Sequence, residues 1–247
     1  MKVWVYALCW NEAFILPYFL RHYLEFCERI VFFDNQSDDG SLEIIRSADK
    51  TEVRTYDTGG RLSDLQYLRI KNECWKEARG EADFVIVCDA DEFLYAPDPL
   101  EYLKAAREAG CAILQPVGYE MMSSELPKRD GRLHQEVSRG YRSRWMDKMC
   151  AFQPGMLDEI GYAPGCHAAR PLPEQARVHR SDGELKLLHF RFLGPAYTIE
   201  RYTRRAARLS EINNAMGWGS HYRSSEQDIR NFFEAKKKEL VEVIPGS

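Results

Sequence analysis

Asp83-Phe84-Val85-Ile86-Val87-Cys88-Asp89-Ala90-Asp91-Glu92-Phe93 is an apolar run that ends abruptly in three carboxylates. Residues 84–88 have no polar interruption, are rich in branched side chains and follow Gly80. A strand covered on both faces of a parallel sheet reads this way. The acids fall at its carboxyl end, the edge where open α/β sheets bind ligands. Asp89 and Asp91, separated by one small residue, present hard oxygen ligands to one divalent cation, Mg²⁺ or Mn²⁺, and such an ion suits a diphosphate. Acids after a strand can also be solvated turn residues. Here Phe93 and Leu94 resume the apolar pattern at once, which favours a half-buried site over an exposed turn.

Working outward, strand patterns at 3–8, 29–33 and 52–56 alternate with helical patterns at 14–26, 42–48 and 63–79. Pro17 is tolerable in a first helical turn, and Asp39 or Ser41 can cap the second helix. The alternation predicts an α/β fold with a right-handed, mainly parallel sheet and helices on both faces. Asn11 and Glu12, Asp34 and Asn35, Gly59 and Gly60, and Asp89 and Asp91 each follow a strand, so the four loops converge on one edge. A nucleotide can lie across the first two with its phosphates reaching the last. Beyond residue 94 the pattern gives a helix at 99–110 and a strand at 111–117. Residues 118–144, rich in Ser, Met, Arg and Gly and containing Pro127-Lys128-Arg129-Asp130-Gly131, read as a mobile, substrate-facing excursion. Strands at 148–153 and 185–190 are expected to extend the sheet, and helices at 197–215 and 225–241 to close the chain.

The 247 residues, 45% hydrophobic and 29% charged, are enough for one large domain with a full core. Net charge is −4, but residues 186–247 carry 11 Lys/Arg against 7 Asp/Glu and the rest 23 against 31, which argues against nucleic-acid binding. The basic tail leaves open an anionic acceptor or a membrane surface, with a solvated surface as the plainer reading. The helix bearing Arg201, Arg204, Arg205 and Arg208 has its apolar stripe through Ile199, Tyr202, Ala206 and Leu209, so most of its arginines are expected to face elsewhere. Met1-Lys2-Val3-Trp4 leads straight into a strand pattern, and no apolar stretch reaches membrane-span length, so a cytoplasmic protein, peripheral at most to the inner face of a membrane, is expected. The seven cysteines include no CxxC pair and sit mostly in apolar runs, which reads as reduced core thiols.

Three segments in order, Asn11-Glu12, Asp34-Asn35-Gln36-Ser37-Asp38-Asp39-Gly40-Ser41 and Cys88-Asp89-Ala90-Asp91-Glu92-Phe93, resemble the GT-A fold glycosyltransferases, specifically their family 2-like bacterial group, over roughly residues 3–215. The resemblance implies a Rossmann-like mixed sheet in a single domain spanning 1–247. A nucleotide-sugar-binding half would cover about 1–117 and an acceptor half, with the C-terminal helices, about 118–247. It implies metal-dependent transfer of a sugar from a nucleoside diphosphate sugar to a glycan or lipid-linked acceptor, in cell-surface polysaccharide synthesis. Residues matching Glu12 and Asp34 lie at the nucleoside in such enzymes, and those matching Asp89 and Asp91 near the ribose and the metal. Asn11, Asn35, Asp38 and Gln66 are counted with the donor site. Leu187-Leu188-His189-Phe190 and, more weakly, Gly165-Cys166-His167 look like the family's carboxyl-terminal histidine segments, so His189 joins Asp89 and Asp91 as a metal ligand, with a core histidine as the alternative. Lys148 and Arg191 can neutralise the leaving diphosphate or form ordinary ion pairs.

The chain departs from the family in lacking any Glu-Asp dipeptide, the pair that often supplies the catalytic base. Glu120, Glu125 and Asp158 are the candidates by position, with Glu120 first and Asp91 beside it as a catalytic residue. The Gln-x-x-Arg-Trp motif of processive synthases is missing around Ser143-Arg144-Trp145, so a single transfer per encounter is expected, and the resemblance implies that it inverts. A nucleotidyltransferase and a non-catalytic nucleotide-sugar or glycan-binding module are the alternatives. Cys9-Trp10-Asn11-Glu12 has neither the glycine nor the lysine that a nucleotidyltransferase carries after its first strand.

Overall fold

The structure is a computed structural model and describes residues 1–128 and 131–245; Arg129 and Asp130 of the expected excursion lie outside the described residues. The first half follows the predicted alternation: β1 (Val3–Cys9), α1 (Leu16–Tyr23), β2 (Arg29–Asp34), α2 (Ser41–Arg46), β3 (Thr51–Thr55), α3 (Asp64–Glu73) and β4 (Phe84–Asp89). β4 and β2 flank β1, β3 lies beyond β2, and all four run parallel. The unbroken apolar character of β4 has the cause expected of it. Phe84, Ile86 and Cys88 face a core shared with α1, while Val85 and Val87 face Trp75 and Phe152 on the other side. Trp75 belongs to a 3₁₀ turn, Cys74–Ala78, that continues α3, so the predicted helix changes pitch in its last stretch.

The second half departs from a simple extension of that sheet. Directly after Asp89 the chain enters β5 (Glu92–Tyr95) and then α4 (Pro99–Glu108), β6 (Ile113–Gln115), β7 (Val117–Ser123), α5 (Leu133–Glu136), β8 (Arg139–Arg142), β9 (Ala151–Phe152), β10 (Val178–Arg180) and β11 (Lys186–Leu193). The chain ends in α6 (Pro195–Arg208), α7 (Glu211–Met216), α8 (Glu226–Lys236) and β12 (Val241–Glu242). Among the described residues the first sheet has the order β10-β6-β9-β4-β1-β2-β3, and a second has β12-β8-β7-β11-β5. The 148–153 strand is only β9, and it inserts antiparallel between β4 and β6. The 185–190 strand is β11 of the second sheet. Asp89 to Glu92 is thus the crossing from one sheet to the other, and acids at a junction of two sheets are held from both sides.

Residues 118–144, read as a mobile excursion, instead supply β7 and β8 of the second sheet, paired Tyr119 with Arg142 and Met121 with Gly140. The Ser, Met, Arg and Gly that suggested an excursion include two glycines, Gly118 and Gly140, that lie within these strands. Glu120 is buried, and the glycines allow close approach: a Cβ on Gly118 would sit 2.3 Å from the Met146 carbonyl carbon, and one on Gly140 would sit 2.6 Å from the Glu120 carbonyl oxygen. Gly118→Ala is therefore expected to cost about 1–3 kcal/mol through overpacking against backbone. Gly155→Ala, with no atom within 4 Å of the added Cβ, should stay within about 0.5 kcal/mol when both variants are unfolded in urea. Equal midpoints for the two variants would contradict the steric account.

The predicted 197–215 helix breaks at Leu209 and Ser210, and Ser210 caps α7 by accepting from the Asn213 amide. Tyr202 of α6 packs with Met122, Phe192, Ile229 and Phe233, which fixes the helix over β7 and β11 and against α8. Leu62 and Leu209 form a bridge that ties the end of α6 to the loop after β3, through Leu62 N–H to the Arg208 carbonyl and Ser210 N–H to the Leu62 carbonyl. All seven cysteines are free, and burial pushes the Cys9, Cys27 and Cys88 thiols well up. Among the described residues no helix is long and apolar enough to cross a membrane.

Candidate active site

The register of the parallel strands sets the loops level with one another. Cys9 stands opposite Asp34, Leu8 opposite Asp89 and Asp34 opposite Thr55, so the loops after β1, β2, β3 and β4 open on one edge. The first two interlock. Asn11, in the left-handed region at φ 52°, donates from Nδ2 to Asp38 at 2.7 Å and accepts from the Asp38 amide at 2.9 Å. Asp34, fully buried, accepts from the Ser37 amide and hydroxyl at 3.0 and 2.6 Å. The Glu12 amide donates to Ser41 at 2.9 Å. Asn11, Asp34 and Asp38 thus shape the edge by holding its loops. Asn35 accepts from Thr58 at 3.0 Å and from Arg208 at 2.6 Å, and the Arg208 guanidinium lies 3.6 Å from the centre of the Trp10 ring. Gln66 is half-buried in the first turn of α3.

Behind this edge lies a chain of buried ion pairs. Arg201 joins Asp91 at 2.7 Å to Glu12 at 2.6 Å, and Arg205 meets the same Glu12 oxygen at 2.6 Å. Asp91 also faces His189 Nε2 at 3.3 Å, and His189 Nδ1 faces Glu120 at 2.9 Å, with Arg191 4.0 Å from Glu120. Beside them Lys71 pairs with Asp89 at 2.7 Å, Lys148 pairs with Glu92, and Glu92 accepts the Asp89 amide at 3.1 Å. Burial alone would neutralise such groups, but their partners outweigh it. Burial drives the Asp91 carboxyl up, yet Arg201 and His189 hold it well below the carboxylate range. Burial likewise drives Glu120 up and His189, then Arg191, bring it below its usual value. Burial pulls His189 down, but Glu120 and Asp91 push it up to about 10, so the imidazole carries a proton on each nitrogen. Lys71, drawn down by burial, is raised well above its usual value by Asp89.

The structure thus brings Glu12, Asp89, Asp91, Glu120, Lys148 and His189 together. His189 is a charged bridge between two carboxylates rather than a backbone-satisfied core residue. Of the three base candidates only Glu120 belongs to the cluster; Glu125 and Asp158 are exposed. His167 makes no ion pair among the described residues; its Nδ1 lies 2.7 Å from the Trp145 carbonyl, and burial and then the nearby Lys148 lower its imidazole below the usual value. The arginines of α6 lie off its apolar stripe: Arg201, Arg205 and Arg208 share the adjoining face and reach the strand edge, while Arg204 meets Glu200 at 3.6 Å. Their spacing of four and then three residues is the signal that they share a face. Lys71 gave no signal, because α3 has only a weak apolar face to orient it.

A divalent ion at Asp89 and Asp91 does not fit this arrangement. Among the described residues no three His, Cys, Asp or Glu side chains are grouped to hold a metal. Asp91 already faces Arg201 and His189, and Asp89 faces Lys71. An ion there would sit beside buried cations, with a repulsion of roughly 4 kcal/mol for each pair of unit charges at 4 Å and an effective dielectric of about 20.

No protein-family model matches the chain, and no curated protein matches it. Among solved structures the chain is similar to S. aureus TarS, with 19% identity and a TM-score of 0.45 over 95% of this chain and 43% of that one. It is similar to residues 1–349 of TarS in complex with UDP, at 17% identity and a TM-score of 0.48 over 96% of this chain and 71% of that one. For the same fragment in complex with UDP-GlcNAc the values are 15% and 0.46, over 94% and 70%. The chain therefore spans less than half of the longer TarS chain.

Proposed function

We propose that the protein is a glycosyltransferase that takes a sugar from a nucleoside diphosphate donor and passes it, once per encounter and with inversion, to a hydroxyl of a glycan or lipid-linked acceptor of the kind used in cell-surface polysaccharide synthesis. The observation that carries the reading is the level edge: four loops of a parallel sheet end together, and Arg201, Arg205 and Arg208 of α6 reach that edge from the other half of the chain. Such an edge is built to receive a phosphorylated ligand. Glu12 supports a nucleoside across the first two loops, because it follows β1 and its amide is tied to Ser41 at the end of the loop after β2.

Chemistry at this site asks little of the protein beyond holding the donor and meeting the charge that grows on the leaving diphosphate. Glu120 is the base in this reading. Its carboxylate faces His189 Nδ1 at 2.9 Å and is ionised at neutral pH, so it can receive the acceptor's hydroxyl proton, as a base that His189 and Arg191 weaken.

A thermal-shift series with UDP-, GDP-, ADP- and dTDP-sugars tests the reading. One of them at a hundredfold excess over its Kd should stabilise the fold by about 2.7 kcal/mol. For a chain of this size the melting temperature should rise by roughly 5–10 °C. The same donor should then release its nucleotide on prolonged incubation, whereas a binding module would give the shift without the release. No shift with any of the four would refute the proposal.

A further inference from the structure

Five carboxylates, Glu12, Asp89, Asp91, Glu92 and Glu120, meet five lysine and arginine side chains, Lys71, Lys148, Arg191, Arg201 and Arg205, with His189 in addition. Lys71, Lys148 and Arg201 are almost fully buried, so none can move into water to make room for another cation. Arg201 and His189 both meet Oδ2 of Asp91 and Lys71 meets Oδ1 of Asp89, so a metal on the remaining oxygens would sit a few ångströms from three buried cations that already answer these carboxylates.

The same groups are well placed for an anion. Asp89 has the most open of the five carboxylates, with its side chain 37% exposed, so a ligand arriving at the strand edge meets the Asp89–Lys71 pair first. A lysine ammonium has three protons to donate, and the structure gives Lys71 one ionic partner, so it can serve Asp89 and a phosphate oxygen together. Behind it, Arg201 and Arg205 share a single oxygen of Glu12, and Arg201 also meets Asp91. Arg205 is still 21% exposed and lies at the open side.

We infer that this chain neutralises the diphosphate of its ligand with its own side chains, Lys71 foremost and Arg201 and Arg205 behind it, and binds that ligand without a divalent metal. The inference rests on the donor reading proposed above and adds what replaces the metal in it. Lys71 is then a donor-binding residue and Asp89 its positioning partner.

Calorimetric titration of the full chain with inorganic pyrophosphate and with the four nucleotide sugars, once in EDTA and once in Mn²⁺, separates the two claims. The expected result is a Kd that agrees within about twofold between EDTA and Mn²⁺, and that weakens by about tenfold or more in Lys71→Met, the loss typical of one charge-assisted contact. Lys71→Arg keeps the charge and should recover part of the affinity, which guards against a Lys71→Met protein that is merely misfolded. Binding of a nucleotide sugar in Mn²⁺ but not in EDTA would overturn the inference and leave the donor reading standing. Pyrophosphate binding in EDTA with no response to any nucleotide sugar would keep the cation site and overturn the donor reading. Silence from every probe would remove both, and unchanged affinity in folded Lys71→Met would remove Lys71 from the site.

Discussion

Arg201→Ala should cost the fold about 3–5 kcal/mol, the typical penalty for removing one member of a buried ionic group. The side chain is 4% exposed and joins two carboxylates from separate parts of the chain, Glu12 after β1 and Asp91 between β4 and β5. Its loss leaves Asp91 with His189 alone and Glu12 with Arg205 alone, both still out of water. It also removes the main ionic tie between α6 and the strand edge. In urea the midpoint should fall at nearly unchanged slope, and the melting temperature should drop by roughly 10 °C or more for a chain of this size. Adding Asp91→Asn to Arg201→Ala should cost much less than the two separate losses combined, because the second change removes the charge that the first stranded. A loss below about 1 kcal/mol for Arg201→Ala would show that water reaches these carboxylates. Asp91→Ala would strand Arg201 and His189, and Asp89→Ala would strand the buried Lys71, so a loss of function in either variant has to be read together with its stability.

The parts of this fold that could be read from sequence are those whose pattern has a local cause. β4 was legible because a strand covered on both faces must be apolar throughout, and Phe84 to Cys88 is. The level edge was legible because polar residues follow each of the first four strands. The second sheet was not, because β7 carries Gly118 and the buried Glu120, residues that report close approach and ion pairing rather than strand propensity. The acids were legible as a cluster, as were His189 and Lys148 near them, but Arg201 and Lys71 were not. Arg201 lies 110 residues beyond Asp91, and only the packing of Tyr202 against Phe192 and Phe233 turns it toward the edge. Next to an apolar stripe an arginine reads as solvated surface. Four arginines there, three of them in a four-then-three spacing, carried the information that one helix face was reserved for charge. Lys71 shows the limit: a single lysine on a weakly amphipathic helix gives no sign that it will be buried.

His189 should make stability fall as the solution is made more alkaline, in a range where most proteins are indifferent. Its imidazole faces Asp91 at 3.3 Å and Glu120 at 2.9 Å, which pushes it up to about 10 from the ordinary 6.5. Between those two values the folded protein keeps a proton that the unfolded chain releases, so the native state binds more protons and stability declines with rising pH. The stabilisation is complete below pH 6.5, fades from there upward and is gone above about pH 10. Asp91 and Glu120, both depressed, act in the opposite direction at the acid end: their contribution is present above the ordinary carboxylate range and is lost as pH falls through their lowered values. The triad therefore contributes most from about pH 5 to 6.5. Against His189→Gln, wild type should show its largest advantage in that interval. The advantage should then shrink by up to about 1.4 kcal/mol per pH unit toward pH 10. The reading is urea unfolding of both proteins at pH 5.5, 7, 8.5 and 9.5. An advantage that stays constant across the series would mean that the imidazole is already neutral at pH 7, and the bridge between Asp91 and Glu120 would then be a neutral hydrogen-bonded contact instead of an ion triad.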